Sequence, residues 1–219
     1  MGFDLSLIEN YGLRLLGGLW WTVWICAASI AGGVAWGLVL ALVARAGRWA
    51  AAGVAAYVAA LRGTPLLIQL FILYYGGPSF GLTLSALQTG LLGFTLYAGA
   101  YFAEIFRAGL ASVPAGQVEA ARVLGFGRWH TFRHVQLPQM LVLSTPPTTN
   151  QTIILLKESA VLSVITVPEL TFQTTRMVTE TFAVIEPYLS LALLYWAAAS
   201  LLGRAGRGAE LLLTRHLRR

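Results

Sequence analysis

The sequence predicts an all-α membrane protein that crosses the bilayer about five times. Three observations carry that reading. Hydrophobic residues fill 57% of the 219 positions and charged ones only 11%, whereas a water-soluble domain has about a quarter of its residues charged. Mean hydropathy is correspondingly high, at +0.70. The apolar residues also come in runs near or beyond the roughly 20 that a helix needs to cross hydrocarbon.

Taken in order, the first span runs from about Gly17 to Ala44, with Trp20, Trp21 and Trp24 near its start, the place for interfacial aromatics. The second covers roughly Ala50 to Tyr75 and is broken at Arg62-Gly63-Thr64-Pro65. It therefore reads as an amphipathic or interfacial lead-in followed by a membrane helix from about Pro65. The third runs from about Ser85 to Phe106, and the fourth starts near Pro138 and passes Thr145-Pro146-Pro147 and Lys157-Glu158. The fifth runs from about Tyr188 to Leu202. Clustered glycines (Gly32, Gly33 and Gly37; Gly90, Gly93 and Gly99) let membrane helices approach closely.

An odd number of crossings puts the termini on opposite sides, and the basic residues choose which. One set of connections holds Arg45, Arg48, Arg62, Arg107, Arg122, Arg128, Arg133, Arg204, Arg207, Arg215, Arg218 and Arg219. The other holds Arg14 and Arg176 among Asp4, Glu9, Glu169, Glu180 and Glu186. The expected layout is an extracytoplasmic segment 1–16, a transmembrane domain 17–203 with a cytoplasmic loop 107–137, and a basic cytoplasmic tail 204–219. The first ten residues, MGFDLSLIEN, carry Asp4 and Glu9 and no Lys or Arg, so this end does not read as a cleaved signal.

Several chemistries are excluded. The single cysteine, Cys26, cannot form an intramolecular disulfide or a cysteine metal cage. The net charge of +6 does not imply nucleic acid, because the arginines flank apolar spans instead of clustering on a soluble face. The one lysine, Lys157, follows Leu155-Leu156, so the glycine loop that cradles phosphates is missing. Gly125-Phe126-Gly127 lacks the third glycine of a dinucleotide fingerprint. His130 and His134 share a helix face, but Thr131 stands where a zinc HEXXH helix has glutamate. No cofactor or metal is expected.

The most informative segment is SVPAGQVEAARVLGFGRWHTFRHVQLP, residues 112–138. Ser112 is placed to cap a helix with Pro114 in its first turn. That helix carries Glu119-Ala120-Ala121 and stops at Gly125; a second short helix follows, from about Arg128 to His134. Together they make a knob that fits a partner's groove. Glu119-Ala120-Ala121, Gly125, Val135 and Leu137-Pro138, with their spacing, resemble the coupling motif of ABC-importer permeases, Val135 standing where isoleucine is usual. LRGTPLLIQLFILYYG (61–76), AYFAEIFRAGLASVPAGQVEAARVLGF (100–126) and TNQTIILLKESAVLSVI (149–165) are similar to the polar amino acid permease branch of that family, the histidine, glutamine and arginine importers. Lys157-Glu158-Ser159-Ala160 departs from the usual Lys-Asp pattern by one methylene.

The resemblance implies a type I ABC importer permease fold in a bacterial inner membrane. It implies a second permease copy or paralogue, two cytoplasmic ATPase subunits that bind the ATP, and an extracytoplasmic amino-acid-binding protein. It assigns the ATPase-coupling role to Glu119, Ala120, Ala121, Gly125, Leu137 and Pro138. Glu104, Lys157 and Glu158 are ionisable groups in or near hydrocarbon, where charges are expensive and face a cavity or one another. Lys157 and Glu158 either neutralise each other or serve a ligand. The resemblance places Glu104, Asn150 and Glu158 along the substrate path, and Lys157 is a candidate for a carboxylate. The chain itself is expected not to be an enzyme. The alternative, a secondary transporter or channel driven by an ion gradient, fits poorly with few spans and no internal repeat.

Overall fold

The computed structural model describes residues 4–214, and every regular element in that range is helical. The end of the basic tail, including Arg215, Arg218 and Arg219, lies outside the described residues. Helix α1, Leu5–Val43, starts well before Gly17. Asp4 accepts a hydrogen bond from the Ser6 amide and caps it, and no breaker interrupts the apolar sequence that follows.

Helices α2, Arg48–Arg62, and α3, Leu66–Phe71, meet at the predicted Gly63-Thr64-Pro65 break. The chain turns there by 102°. Pro65 takes an extended conformation (ψ 136°), and Gln69 clamps the corner by donating to the Leu61 and Thr64 carbonyls at 2.8 and 3.1 Å. The chain continues from α3 through a π turn, Ile72–Gly76, and a 3-10 turn, Gly77–Phe80. Helix α4, Ala86–Ala111, opens on a capping box between Ser85 and Gln88. The knob consists of α5, Ala115–Val123, and α6, Arg128–Thr131. A π turn, Phe132–Gln136, joins α6 to α7, Leu137–Glu158. After a 3-10 segment, Ser159–Ile165, come α8, Leu170–Thr181, and α9, Ile185–Thr214.

The five predicted crossings correspond to α1, the bent α2–α3 pair, α4, α7 and α9. By length and apolarity alone, Ser6–Val43 and Ile185–Leu213 are the helices that qualify among the described residues, with the bent pair a third if it counts as one span. Helices α4 and α7 have 26 and 22 residues, long enough at about 1.5 Å per residue, but they carry charged, amide and hydroxyl groups. The fold shelters α4, which packs along α1 and against α2, α3 and α7. Phe94, Phe102, Ile25, Leu70, Met140 and Leu155 fill the core between them.

Helices α1 and α4 meet backbone to backbone. A Cβ added to Gly33 would lie 2.6 Å from the Ala98 Cβ, and one on Gly37 would lie 2.7 Å from the Ala103 nitrogen. No larger residue fits there. The far end of the bundle is tied by α8, an element the sequence reading did not anticipate. Glu169, fully buried, caps α8 by accepting from the Thr171 and Phe172 amides at 2.8 and 2.7 Å. It also accepts from the Tyr195 hydroxyl of α9 at 3.1 Å and the Thr22 hydroxyl of α1 at 3.4 Å.

Candidate functional site

Two groups of predicted residues resolve into distinct places. The first is the knob. Ser112 does not cap α5; it closes α4, its hydroxyl donating to the Ala108 carbonyl at 2.9 Å, and extended Pro114 takes the N-cap position. The far end of α5 is a Schellman turn. Phe126 N–H donates to the Ala121 carbonyl at 3.0 Å and Gly125 N–H to that of Arg122 at 2.9 Å, with Gly125 at φ +81°. That left-handed conformation suits glycine.

Within Glu119-Ala120-Ala121 the faces divide. Ala121 is buried, while Glu119 and Ala120 point to solvent. The turn beyond projects apolar side chains outward: Val123 is 87% exposed, Leu124 75% and Trp129 68%. The knob is fastened to α7 by Gln139, whose amide donates to Gln117 of α5 and to the Val135 carbonyl. Leu137 is partly buried and Pro138 exposed in the first turn of α7. His130 and His134 stack at 4.0 Å between ring centroids, and no cluster of three metal-ligating side chains exists among the described residues.

The second place is a polar strip on α4, formed by Tyr97, Tyr101 and Glu104 at i, i+4 and i+7, hence on one helix face. The Tyr97 hydroxyl lies 3.1 Å from that of Tyr101 and 3.4 Å from Glu158 Oε1. Glu158 Oε2 is buried with no hydrogen-bond partner. The Arg62 guanidinium lies over the Tyr101 ring at 5.1 Å. Glu104 accepts from Arg107 on both oxygens and, with Arg45, Arg62, Arg107 and Gln136, lines a cavity of about 650 Å³ between α1, α2 and α4.

The four predicted substrate-path residues are therefore not gathered into one pocket. Glu158 meets α4 through Tyr97, and Glu104 lies about 10 Å farther along that helix. Asn150 and Lys157 are exposed. Lys157 forms no ion pair among the described residues, where the salt bridges are Arg14–Glu180, Arg107–Glu104 and Arg176–Glu180. The mutual neutralisation of Lys157 and Glu158 that the sequence allowed is not formed, because adjacent residues on a helix point 100° apart. Sequence reasoning missed Tyr97, Tyr101 and Arg62; the i, i+4, i+7 spacing with Glu104 was the signal that marked the two tyrosines.

Comparison with known proteins matches residues 33–207 to the family described as binding-protein-dependent transport system inner membrane component. The chain is 38% identical over 188 residues to the probable amino-acid ABC transporter permease protein YckA of Bacillus subtilis (strain 168), covering 84% of this chain and 82% of that one. Identity to the L-cystine transport system permease protein TcyB of the same organism is 35% over 214 residues, with 95% and 90% covered. The glutamine transport system permease protein GlnP of Escherichia coli (strain K12) is 34% identical over 198 residues, with 89% and 90% covered. Among solved structures, an amino acid ABC transporter crystallised with histidines superposes with a TM-score of 0.89 at 33% identity, covering 96% of this chain and 99% of the other. The inward-facing MetNI methionine ABC transporter shares the fold, with a TM-score of 0.81 at 24% identity over 94% of this chain and 99% of that one.

Proposed function

This chain belongs to the family of binding-protein-dependent transport system inner membrane components, and we propose that it is the permease subunit of an ATP-driven importer of a polar or basic amino acid. The observation that carries the proposal is the knob: a Schellman-capped helix presenting Glu119, Ala120 and an apolar rim to solvent while fastened to α7. The relatives named above as amino-acid, cystine and glutamine permeases support the substrate class. In this reading two separate ATPase subunits bind and hydrolyse ATP, an extracytoplasmic protein delivers the amino acid, and a second permease copy or paralogue completes the path. The knob faces the cytoplasm, the N-terminus the exterior. Glu119, Ala120, Ala121, Gly125, Leu137 and Pro138 form the coupling surface. Motion is transmitted because the partner binds one conformation of the pair better than the other.

On the substrate side, Glu158 and Glu104 meet the ammonium group, and Arg62 and Lys157 are the cations available to a carboxylate. Asn150 adds a polar contact. The test is ATP-dependent uptake by the co-purified complex in proteoliposomes. Glu119→Lys is expected to abolish uptake without loss of membrane insertion, and Glu158→Gln to lower uptake at least tenfold. Normal import by Glu119→Lys would refute the docking role, and unchanged transport of every amino acid by Glu158→Gln would end the substrate assignment. Uptake that collapses with a protonophore but ignores ATP would favour a gradient-driven transporter.

A further inference from the structure

We propose that the recess between α5, the α6 turn and the end of α1 binds a phosphate-bearing anion, and that its occupant is the headgroup of an anionic phospholipid. The recess measures about 580 Å³, and it is lined by Arg45 from the turn after α1, Arg122 from α5 and Arg128 from α6. No acidic side chain joins them. Arg45 is already oriented: its Nη2 donates to Gln136 Oε1 at 3.1 Å, and its guanidinium lies 5.9 Å from the centre of the Phe132 ring. Arg122 and Arg128 are exposed and form no salt bridge among the described residues. Of the nearby carboxylates, Glu104 is occupied by Arg107, and Glu119 lies outside the lining. Three cations facing one recess repel one another, and an anion between them relieves the repulsion.

Depth selects a lipid as the source of that anion. The apolar run of α1 ends at Val43 and Arg45 is the first charged residue after it, which in the proposed crossing puts Arg45 where hydrocarbon gives way to headgroups; Leu42 forms part of the wall. Trp129 lines the recess as well and packs against Phe132, with 5.6 Å between ring centroids. Basic recesses at this level recognise phospholipid headgroups by charge. The proposal requires only that α1 spans the bilayer, and it stands or falls independently of the transported solute.

Native mass spectrometry of the full-length chain in detergent, titrated with phosphatidylglycerol, tests it. The wild type is expected to retain one lipid whose affinity falls about thirtyfold in Arg122→Gln/Arg128→Gln, the loss anticipated for two membrane-proximal arginines. Arg122→Lys/Arg128→Lys is expected to retain most of the binding, which also verifies that changes at these positions leave the fold intact. Equal binding by the wild type and the glutamine pair, or by phosphatidylcholine of the same chain length, overturns the site. Loss in the lysine pair as severe as in the glutamine pair overturns the electrostatic argument. Displacement by millimolar inorganic phosphate overturns the lipid as the source. Loss of the lipid on assembly with the ATPase overturns it in favour of an acidic protein segment.

Discussion

Single residues fix the ends of this bundle. Glu169 offers carboxylate oxygens to four donors from α8, α9 and α1, and only an acceptor-only side chain satisfies them all. Glu169→Gln introduces an N–H₂ among donors and is expected to cost about 1–3 kcal/mol. A thermal unfolding scan of the purified chain checks this, at roughly 2–4 °C per kcal/mol for a protein of this size. At the outer end of α8, hydrogen bonds from Arg14 and Tyr11 hold the Glu180 carboxyl below the usual carboxylate range. A depressed pKa stabilises the fold above the unfolded value and loses its effect as pH falls through the folded one. Gly125 holds φ +81°, so Gly125→Val, with a β-branched side chain, is expected to unwind the Schellman turn and uncouple ATP hydrolysis from uptake. Gly125→Asn, which tolerates that conformation, retains much of the coupling.

At the scale of elements, legibility depended on whether a signal was local. The Gly125 stop and the 62–65 break were readable because glycine and proline act on their own backbone. Helix α8 was hidden because TFQTTRMVTET (171–181) looks too polar for an apolar bundle. The structure satisfies those hydroxyls internally: Thr174, Thr175, Thr179 and Thr181 each donate to a carbonyl one turn back. Glu169 read as an outer-loop acid because its burial depends on contacts with Thr22 and Tyr195, 147 and 26 residues away. The substrate-path candidates carried identity but not direction, which is why Asn150 and Lys157 turned out exposed. Glycine packing was legible in kind, and the partners came only with the fold. Gly37→Ala is expected to destabilise by about 1–3 kcal/mol through overpacking against α4. The control Gly53→Ala, with open space around its Cβ, is expected to stay within about 1 kcal/mol of wild type or gain slightly. Denaturant midpoints of the two variants compare them directly.

For the whole molecule, charge asymmetry is the organising feature. Arg45, Arg122 and Arg128 lie between the spans, with Arg107 near the end of α4, and the orientation proposed above from the positive-inside rule puts this set in the cytoplasm. Gln117→Cys in the exposed part of α5 is expected to react with a membrane-impermeant maleimide in inside-out vesicles and not in intact cells. The native Cys26 is buried and gives little background. Labelling in intact cells would invert the topology and remove the basis for ATPase docking.

From Arg128 to Glu158 the chain is helical without interruption, through α6, the π turn and α7. The second helix of the proposed docking knob and a half-buried carboxylate therefore sit at opposite ends of one continuous helical path, softened midway where Pro146 and Pro147 supply no amide hydrogen. If the proposed importer couples the two ends, linkage makes the coupling reciprocal: whatever a ligand at Glu158 does to the affinity for a partner on the knob, that partner does by the same factor to the ligand.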